Sequence, residues 1–345
     1  MTLDELGGWP AILRALTARR DLTADETRAA MGEILEGAAT PAQIAGFIVA
    51  LRMKGETVDE LVGLVDAMVA AAERVDLPAT TAAIDVVGTG GDQAHTINVS
   101  TLAALTVAGA GGKVCKHGNR AASSATGAAD LLEALGVRLD CGPAGVARCV
   151  EGAGIGFCFA PRFHPAMRHA GPPRRELGIP TAFNILGPLA NPARVRRLLV
   201  GVADPSMADR MAGVLAAREC DRAMIVHGDD GLDELTVSTT SQVVELREGE
   251  LTRYELDPTA LGLEVAPREA LRGGDPATNA ELARAVLAGE TGPHRDVVCL
   301  NAAAALVVAG VASDVKSGLE VARASIDGGG AARALDGLVT LSNAE

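Results

Sequence analysis

The pattern of apolar residues changes once along the chain, near residue 80, and this change restricts the fold more than any other feature. After Thr81, short apolar runs alternate with stretches of helical periodicity; the runs are 83–87, 113–115, 156–160, 198–202 and 223–226. Strands separated by helices of this length form a mostly parallel sheet with helices on both faces. Residues 242–246 and 251–256 flank a polar segment and predict a hairpin. We therefore expect an α/β domain over residues 79–345.

Residues 1–78 contain only helical patterns. Thr23 is followed three residues later by Glu26, and Thr40 is followed by Pro41; both are signals of a helix start. A further helix is predicted from Thr57, and no strand-like alternation occurs before Pro78. The sequence therefore predicts a small all-helical domain over residues 1–78.

Composition and charge exclude several classes of protein. Of the 345 residues, 48% are apolar and 22% are charged, which excludes a disordered chain. The net charge of −13 and the 2% of aromatic residues argue against nucleic acid or a membrane surface as a partner. The longest apolar stretch, 297–310, is interrupted by Asn301 and is too short to span a bilayer. Six cysteines without a C-x-x-C pair, and no secretory signal, lead us to expect a cytoplasmic protein.

A glycine-rich segment, 88–92 (GTGGD), directly follows the first predicted strand. It leads to residues 98–101 (NVST), where a Ser or Thr is expected to cap the apolar helix that follows. A glycine loop that leads into a helix N-terminus forms an anion site from free N–H groups and the helix dipole. The segment matches neither the dinucleotide fingerprint nor the P-loop, so an ordinary glycine turn remains the alternative.

A basic and polar segment, 116–124 (KHGNRAASS), follows the second predicted strand. Its two cations, amide and hydroxyls suit a phosphate or pyrophosphate ligand. The alternative is a solvated polar loop. Two such loops after two strands of one sheet favour a ligand site, because open α/β sheets bind ligands beyond the carboxyl ends of their strands.

An acidic segment, 229–234 (DDGLDE), follows a later strand. Adjacent carboxylates on a loop can share Mg²⁺ ions that also hold substrate phosphates. Neither a helix nor a strand aims consecutive side chains at one point. Asp233 and Glu234 are therefore expected on a loop, which Gly231 permits, or bound to different ions. A solvated acidic turn is the alternative.

The segment between 164–169 (HPAMRH) and 183–192 (FNILGPLANP) contains arginines beside small apolar residues. Arg174 could bind a carboxylate through two parallel hydrogen bonds. The alternative is an ordinary surface ion pair. The segment by itself names no substrate.

These motifs together resemble the anthranilate phosphoribosyltransferase family over nearly the full length of the chain. The motifs that carry the resemblance are, in order, IAGFIVALRMKGE, GTGGD, NVST, KHGNRAASS, HPAMRH, NILGPLANP and HGDDGLDE. The resemblance implies an enzyme that joins anthranilate to phosphoribosyl pyrophosphate (PRPP), an early step of tryptophan biosynthesis. It also implies a helical domain that dimerises, an active site at the hinge to the α/β domain, and a return of residues around 170–190 to the helical domain.

The resemblance further implies the residues of each subsite. For PRPP these are Gly88, Gly91, Asp92, Thr96, Asn98, Val99, Ser100, Thr101, Lys116, His117, Gly118, Asn119, Arg120, Ala121, Ala122, Ser123, Ser124 and Ala128. Ala128 stands where many relatives have Ser, so one hydroxyl to a phosphate is absent there. For anthranilate they are Gly88, Asn119 and Arg174, with Arg175 as the alternative arginine. For magnesium, expected as two ions per subunit, they are Ser100, Asp233 and Glu234.

The sequence shows no nucleophile–base pair, and this reaction needs no covalent enzyme intermediate. We therefore assign no catalytic residue and expect positioning and electrostatics to supply the acceleration; Lys116 and His117 are the candidates for a direct role, His117 as a proton acceptor. Two alternatives stay open. One is a pyrimidine nucleoside phosphorylase of similar architecture, which the KHGNRAASS loop disfavours. The other is a non-enzymatic relative that binds nucleic acid, which the net charge and the Asp233–Glu234 pair disfavour.

Overall fold

The computed structural model describes residues 1–121 and 125–344. Within these residues the helices are α1 (Gly8–Thr17), α2 (Ala24–Glu36), α3 (Pro41–Lys54), α4 (Val58–Ala71), α5 (Val99–Gly109), α6 (Ala128–Ala134), α7 (Pro143–Ala153), α8 (Ala160–Phe163), α9 (Gly171–Leu177), α10 (Phe183–Leu189), α11 (Ala208–Ala217), α12 (Pro276–Leu287), α13 (Pro293–Ala309), α14 (Val315–Asp327) and α15 (Gly330–Asn343). The strands are β1 (Asp85–Gly88), β2 (Val114–Gly118), β3 (Ile155–Phe159), β4 (Arg197–Gly201), β5 (Arg222–Gly228), β6 (Ser241–Arg247) and β7 (Glu250–Leu256).

The helices α1 to α4 form the N-terminal part of the chain. Thr23, Thr40 and Thr57 each cap the next helix in a reciprocal capping box, so the predicted helix starts are confirmed. Trp9 on α1 and Phe47 on α3 meet edge to face with ring centroids 5.9 Å apart. These contacts bury one apolar face of each helix against its neighbours.

The strands follow the order β3-β2-β1-β4-β5-β6-β7. β1 pairs in parallel with β4, and β4 with β5. β2 and β3 form a parallel pair that joins β1 through a single bridge between Ile84 and Val114. β6 and β7 add the predicted hairpin in antiparallel order. The predicted mostly parallel sheet is thus confirmed.

The order of the strands identifies where a ligand would bind. The chain leaves β1 for β2 and β3 on one side and then returns to β4 on the other side of β1. Connections that diverge in this way leave a crevice beyond the carboxyl ends of the strands. The three polar segments that follow β1, β2 and β5 all begin at this edge of the sheet.

Helices cover both faces of the sheet. On one face, α13 is buried along residues 297–309 and packs on α5, β4 and β5. On the other face, α11 packs on β5 and β6, and its buried apolar residues continue into those of α4. The sheet therefore lies between two layers of helices, and the second layer also packs against the N-terminal helices.

The segment 171–189 packs against the N-terminal helices. α9 lies on α3, and α10 lies between α4 and α11. Phe183 and Leu186 belong to the same buried cluster as Phe47 and Leu64. The division of the chain at residue 78, with 170–190 returning to the helical domain, remains a proposal, and these contacts support it. None of the helices in the described part of the chain has the length and apolar character needed to cross a membrane.

Candidate active site

The loop after β1 is shaped to approach an acidic side chain from the loop after β5. Gly90 and Gly91 have left-handed backbones, with φ of 67° and 88°. The N–H of Gly90 donates to Asp233 Oδ2 at 2.7 Å. A Cβ atom on Gly88 would collide with the same carboxylate. The glycines of GTGGD therefore let this loop close over Asp233.

Asp233 and Glu234 lie on the loop between β5 and β6, as predicted, with Gly231 in a left-handed turn at φ 89°. Each residue is 9% exposed. The Glu234 carboxylate accepts a hydrogen bond from the backbone N–H of Ser100, and Asp233 lies in hydrogen-bond contact with Asp92. The structure thus brings the three carboxylates to the N-terminus of α5.

This carboxylate cluster, Asp92, Asp233 and Glu234, is unfavourable without a cation. Burial, with the charge of Asp92, raises the pKa of Asp233 to about 7. Burial and the neighbouring Asp233 raise the pKa of Glu234 well above its ordinary range. Oxygen donors of this kind suit Mg²⁺. No three His, Cys, Asp or Glu side chains of the described residues form a complete metal cage, so a magnesium ion here would also take water and phosphate oxygens.

The first acidic pair of the same segment has a different role. Asp230 accepts hydrogen bonds from the Thr236 hydroxyl at 2.8 Å and from the Leu232 N–H at 3.3 Å. Asp229 accepts from the Thr240 hydroxyl at 2.5 Å. Asp229 and Asp230 therefore hold the loop together, and Asp233 and Glu234 face the end of β1.

Lys116 on β2 supplies the positive charge next to the carboxylate cluster. Its buried Nζ donates to the carbonyl of Val86 at 2.5 Å and to Ser100 Oγ at 3.2 Å. Burial lowers the pKa of Lys116, against the attraction of Asp85, Glu234 and Asp233. Lys116 and Ser100, which the resemblance assigns to PRPP, are thus in contact.

Asp85 at the start of β1 has a role that the sequence did not reveal. Its Oδ1 accepts from the backbone N–H of His117 at 3.0 Å, and its Oδ2 accepts from Asn191 Nδ2 at 2.7 Å. Asn191 also donates to the carbonyl of Cys115 at 2.8 Å. Burial raises the pKa of Asp85 to about 6. Asp85 therefore ties the end of the NILGPLANP segment to β1 and β2; its one sequence signal is an acid at the start of an apolar strand.

The predicted cap of α5 is wrong. The helix begins at Val99, so the N-cap residue is Asn98, while Ser100 and Thr101 lie in the first turn. Asn98 does not cap, because its amide donates to the carbonyl of Thr126 and accepts from Asn279 Nδ2, both at 2.9 Å. The buried hydroxyl of Thr101 has no hydrogen-bond partner among the described residues.

The loop after β2 contains the other predicted PRPP residues. Ala122, Ser123 and Ser124 lie outside the described residues. Arg120 forms ion pairs with Asp130 and Glu133, both at 2.8 Å, and lies over the Phe159 ring. Ion pairs thus hold the Arg120 side chain against α6. The prediction that Arg120 binds PRPP therefore depends on its backbone groups.

The remaining predicted residues lie around the same crevice. Gly118 ends β2, Asn119 and Ala121 follow it, and Ala128 begins α6 beside Gly118. Thr96 lies in the loop before α5, and its backbone forms an isolated antiparallel β-bridge with Arg272. Their roles in binding remain predictions.

Arg174 on α9 is the better placed of the two candidate arginines. Its guanidinium is half-buried over the Phe183 ring, 5.3 Å from the centroid, and burial lowers its pKa. No carboxylate of the described residues forms an ion pair with it. Arg175 is exposed. A half-buried guanidinium without a carboxylate partner among the described residues favours an anionic ligand at Arg174.

The His117 ring lies between β2 and the NILGPLANP segment. Its Nδ1 is 3.1 Å from the carbonyl of Gly187, and its ring centroid is 5.1 Å from that of His164. Burial and His164 lower the pKa of His117 to about 3, so the ring is neutral and Nδ1 donates. Its buried Nε2 has no partner among the described residues. The candidate proton acceptor is therefore unprotonated at neutral pH.

The low pKa of His117 predicts a loss of stability in acid. His117 takes up a proton near pH 6.5 in the unfolded chain and near pH 3 in the folded chain. The neutral ring therefore makes its full contribution to the free energy of unfolding above pH 6.5, and this contribution is lost as the pH drops toward 3. At pH 5 the loss is about 2 kcal/mol. His117→Asn retains an N–H for Gly187 and cannot be protonated. Urea unfolding at pH 7.5 and 5 should show a smaller loss for this variant; an equal loss in both proteins would contradict the assignment.

Comparison with known proteins agrees with this geometry. Residues 10–72 match the glycosyl transferase family, helical bundle domain, and residues 80–332 match the glycosyl transferase family, a/b domain. The fold and site thus define a glycosyltransferase with a helical bundle and an α/β domain. The anthranilate phosphoribosyltransferase of Arthrobacter sp. (strain FB24) is 56% identical over 340 residues, which are 97% of this chain and 96% of that protein. The chain belongs to the anthranilate phosphoribosyltransferase family.

Solved structures show the same similarity. Anthranilate phosphoribosyltransferase from Thermus thermophilus superposes with a TM-score of 0.91 at 42% identity, covering 96% of this chain and 99% of that chain. The Saccharomyces cerevisiae enzyme in complex with PRPP and Mg gives 0.88 at 28% identity, covering 97% of both chains. The same yeast enzyme in complex with 4-fluoroanthranilate gives 0.87 at 27% identity, again over 97% of both chains.

Proposed function

We propose that this protein transfers the phosphoribosyl group of PRPP to the amine of anthranilate, giving N-(5-phosphoribosyl)anthranilate and pyrophosphate in tryptophan biosynthesis. The observation that carries this function is the carboxylate cluster, which lies beside Lys116 and Ser100 at the carboxyl ends of β1, β2 and β5. The two loops proposed for phosphate groups meet the proposed magnesium site there. The yeast relative, which was solved in complex with PRPP and Mg, supports these ligands for this chain.

Asp233, Glu234 and Ser100 are the residues that would hold magnesium, and we propose two ions per subunit. Bound magnesium would neutralise the negative charge that develops on the departing pyrophosphate. Lys116 adds a positive charge to the same place, and the N-terminus of α5 adds the partial positive charge of the helix dipole. These groups are held by buried hydrogen bonds before the substrate arrives, so little reorganisation is needed.

The proposed chemistry is a single displacement at the ribosyl carbon. The bond from this carbon to the pyrophosphate oxygen breaks, its bond to the anthranilate nitrogen forms, and the amine loses one proton. The enzyme forms no covalent bond. Its residues hold the two substrates in line, and His117 Nε2, which carries no proton, is the candidate to receive the proton of the amine.

Arg174 is proposed to bind the anthranilate carboxylate, and the family resemblance adds Gly88 and Asn119 to the same subsite. Arg174→Ala should raise the KM for anthranilate by about ten- to a hundred-fold, because a charge-assisted hydrogen bond contributes about 1.5–3 kcal/mol. The KM for PRPP should change far less. Steady-state kinetics with each substrate varied in turn would measure both values. Arg175→Ala is the matched control; a larger effect from it, or equal effects on both substrates, would show that Arg174 is not the carboxylate ligand.

The reaction itself is tested by the fluorescence of anthranilate. The signal should fall only when PRPP and Mg²⁺ are both present, since the metal site and both phosphate loops are needed together. Omission of each component in turn is the control. A folded protein that leaves anthranilate unchanged, and instead cleaves pyrimidine nucleosides in the presence of phosphate, would support the phosphorylase alternative.

We also propose that the protein is a cytoplasmic homodimer joined through its helical domain. α3 is apolar on nearly every side, and Met53 at its end is 71% exposed. Ile179, just after α9, which packs on α3, is 47% exposed. Exposed apolar residues on a small helical unit favour burial against a second copy. Light scattering at micromolar concentration should give twice the mass of 35.1 kDa; a monomeric mass would contradict the dimer.

A further inference from the structure

A single polar side chain interrupts the apolar core of α13. Residues 297–309 of this helix are all buried, and Asn301 is the one amide among them. Asn301 is 0% exposed. An amide buried in an apolar helix is costly unless its hydrogen bonds are made. The partners of Asn301 therefore indicate why an apolar residue does not stand there.

The Asn301 amide binds both backbone groups of one residue on another segment. Its Oδ1 accepts from the Leu235 N–H at 2.9 Å, and its Nδ2 donates to the Leu235 carbonyl at 2.8 Å. The same Nδ2 donates to the carbonyl of Val297 one turn earlier, at 2.9 Å. Leu235 is itself fully buried and directly follows Glu234. A rigid helix thus holds the peptide that adjoins the acidic pair.

Other contacts hold the neighbouring parts of the β5–β6 loop, including a hydrogen bond from the Thr236 N–H to Ser241 Oγ at 3.0 Å. Asp230 holds the first half of the loop through Leu232 and Thr236. The two carboxylates accept from N–H groups of the β1 loop and of the α5 N-terminus, at Gly90 and Ser100. The Leu235 side chain packs in the α/β core, and Asn301 adds two hydrogen bonds that fix the Leu235 backbone to α13. Side chains that support metal ligands in this way affect metal affinity.

We propose that Asn301 is a positioning residue that holds Asp233 and Glu234 in place to bind magnesium with PRPP. The inference rests on the proposed magnesium site. Asn301 touches neither substrate nor metal in this scheme; it fixes the direction of the backbone from which the carboxylates project. Without it, Leu235 keeps two unsatisfied polar groups, and the loop turns to find other partners.

The test compares metal binding in Asn301→Leu and wild-type protein. Leu has a similar branched shape and removes all three amide hydrogen bonds. Mn²⁺, which prefers the same oxygen ligands as Mg²⁺, is titrated into protein with PRPP, and free Mn²⁺ is followed by electron paramagnetic resonance. We expect about ten- to a hundred-fold weaker binding in the variant, and a matching rise in the Mg²⁺ midpoint of the rate. Unchanged Mn²⁺ binding in a folded Asn301→Leu protein would overturn the proposal.

Two further variants separate a positioning role from a general loss of packing. Ser325→Ala removes another buried hydrogen bond, from Ser325 Oγ to the carbonyl of Thr106 at 2.8 Å, and should leave Mn²⁺ binding unchanged. Asn301→Asp serves if Asn301→Leu does not fold. A buried carboxyl takes up a proton and can bind both groups of Leu235, so its Mn²⁺ binding should stay close to that of the wild type. Equal weakening in Ser325→Ala, or strong weakening in a folded Asn301→Asp, would contradict the proposal.

The doubly neutralised variant Asp233→Asn/Glu234→Gln tests the underlying magnesium site on its own. If it binds Mn²⁺ as the wild type does, the metal site is wrong and the role of Asn301 falls with it. If it loses binding while Asn301→Leu retains it, the metal site stands and only the role of Asn301 is overturned.

Discussion

Asp233→Asn combined with Glu234→Gln should lower the rate of phosphoribosyl transfer by about 100- to 1,000-fold, because metal stabilisation of a leaving group is worth several kcal/mol. The substitutions keep the shape of both side chains and remove two negative charges from the β5–β6 loop. The demand for Mg²⁺ should rise at the same time. Folding should change little, since the two carboxylates are buried side by side next to Asp92 and repel each other.

The measurement is a magnesium titration of the rate, with thermal melts alongside. Asp229→Asn is the matched control, because it neutralises an acid of the same loop that bonds to Thr240 and Gln242, away from the end of β1. The control should follow the wild-type titration. Overlapping curves and equal maximal rates for the double variant would mean that Asp233 and Glu234 are only an acidic turn.

Lys116→Met should lower kcat/KM for PRPP by about 100-fold, since a charge-assisted hydrogen bond to a phosphate oxygen is worth up to about 3 kcal/mol. Methionine keeps the length of the buried side chain without its charge. The melting temperature should change little. The cost of burying the ammonium group disappears together with its attraction to Asp85.

Steady-state kinetics with PRPP varied at saturating anthranilate would measure this effect. Lys113→Met is the matched control, because Lys113 precedes the same strand and donates only to the carbonyls of Val150 and Glu151 among the described residues. A wild-type kcat/KM in a folded Lys116→Met protein would remove Lys116 from the PRPP site.

The regular elements of this fold follow from local patterns in the sequence. Thr23, Thr40 and Thr57 mark helix starts because each cap is completed within three residues. The strands β1 to β5 were predictable because they are short apolar runs separated by helical stretches, and the parallel order follows from their spacing. The loop position of Asp233 and Glu234 was predictable for a geometric reason, since adjacent side chains diverge in regular structure.

The contacts that hold the site together were not predictable, because they join residues far apart in the sequence. Asp85 meets Asn191 across 106 residues, and Asn98 meets Asn279 across 181. The predicted cap of α5 was wrong because the helix already begins at Val99, which leaves Ser100 and Thr101 inside its first turn. Asn98, the N-cap residue, does not cap either, since its amide is used by Thr126 and Asn279. A local rule for caps has no access to a partner on α12.

Arg268 is a further case of the same kind. Its guanidinium donates to the carbonyls of Asp230 and Asp92, both at 2.9 Å, and so links the loop after β5 to the loop after β1. Nothing in the sequence around Arg268 distinguishes it from a surface arginine. Arg268 can link the two loops because the fold places both of them at one edge of the sheet.

The most direct test of phosphoribosyl transfer counts the products of one reaction. Wild-type protein, Mg²⁺, PRPP and a limiting amount of anthranilate are incubated, and pyrophosphate and phosphoribosylated anthranilate are both quantified by chromatography. The geometry of the site predicts one pyrophosphate released for each anthranilate consumed, and neither product when PRPP is withheld. Pyrophosphate release without modification of anthranilate, or anthranilate that stays unchanged with all components present, would contradict the proposed transfer.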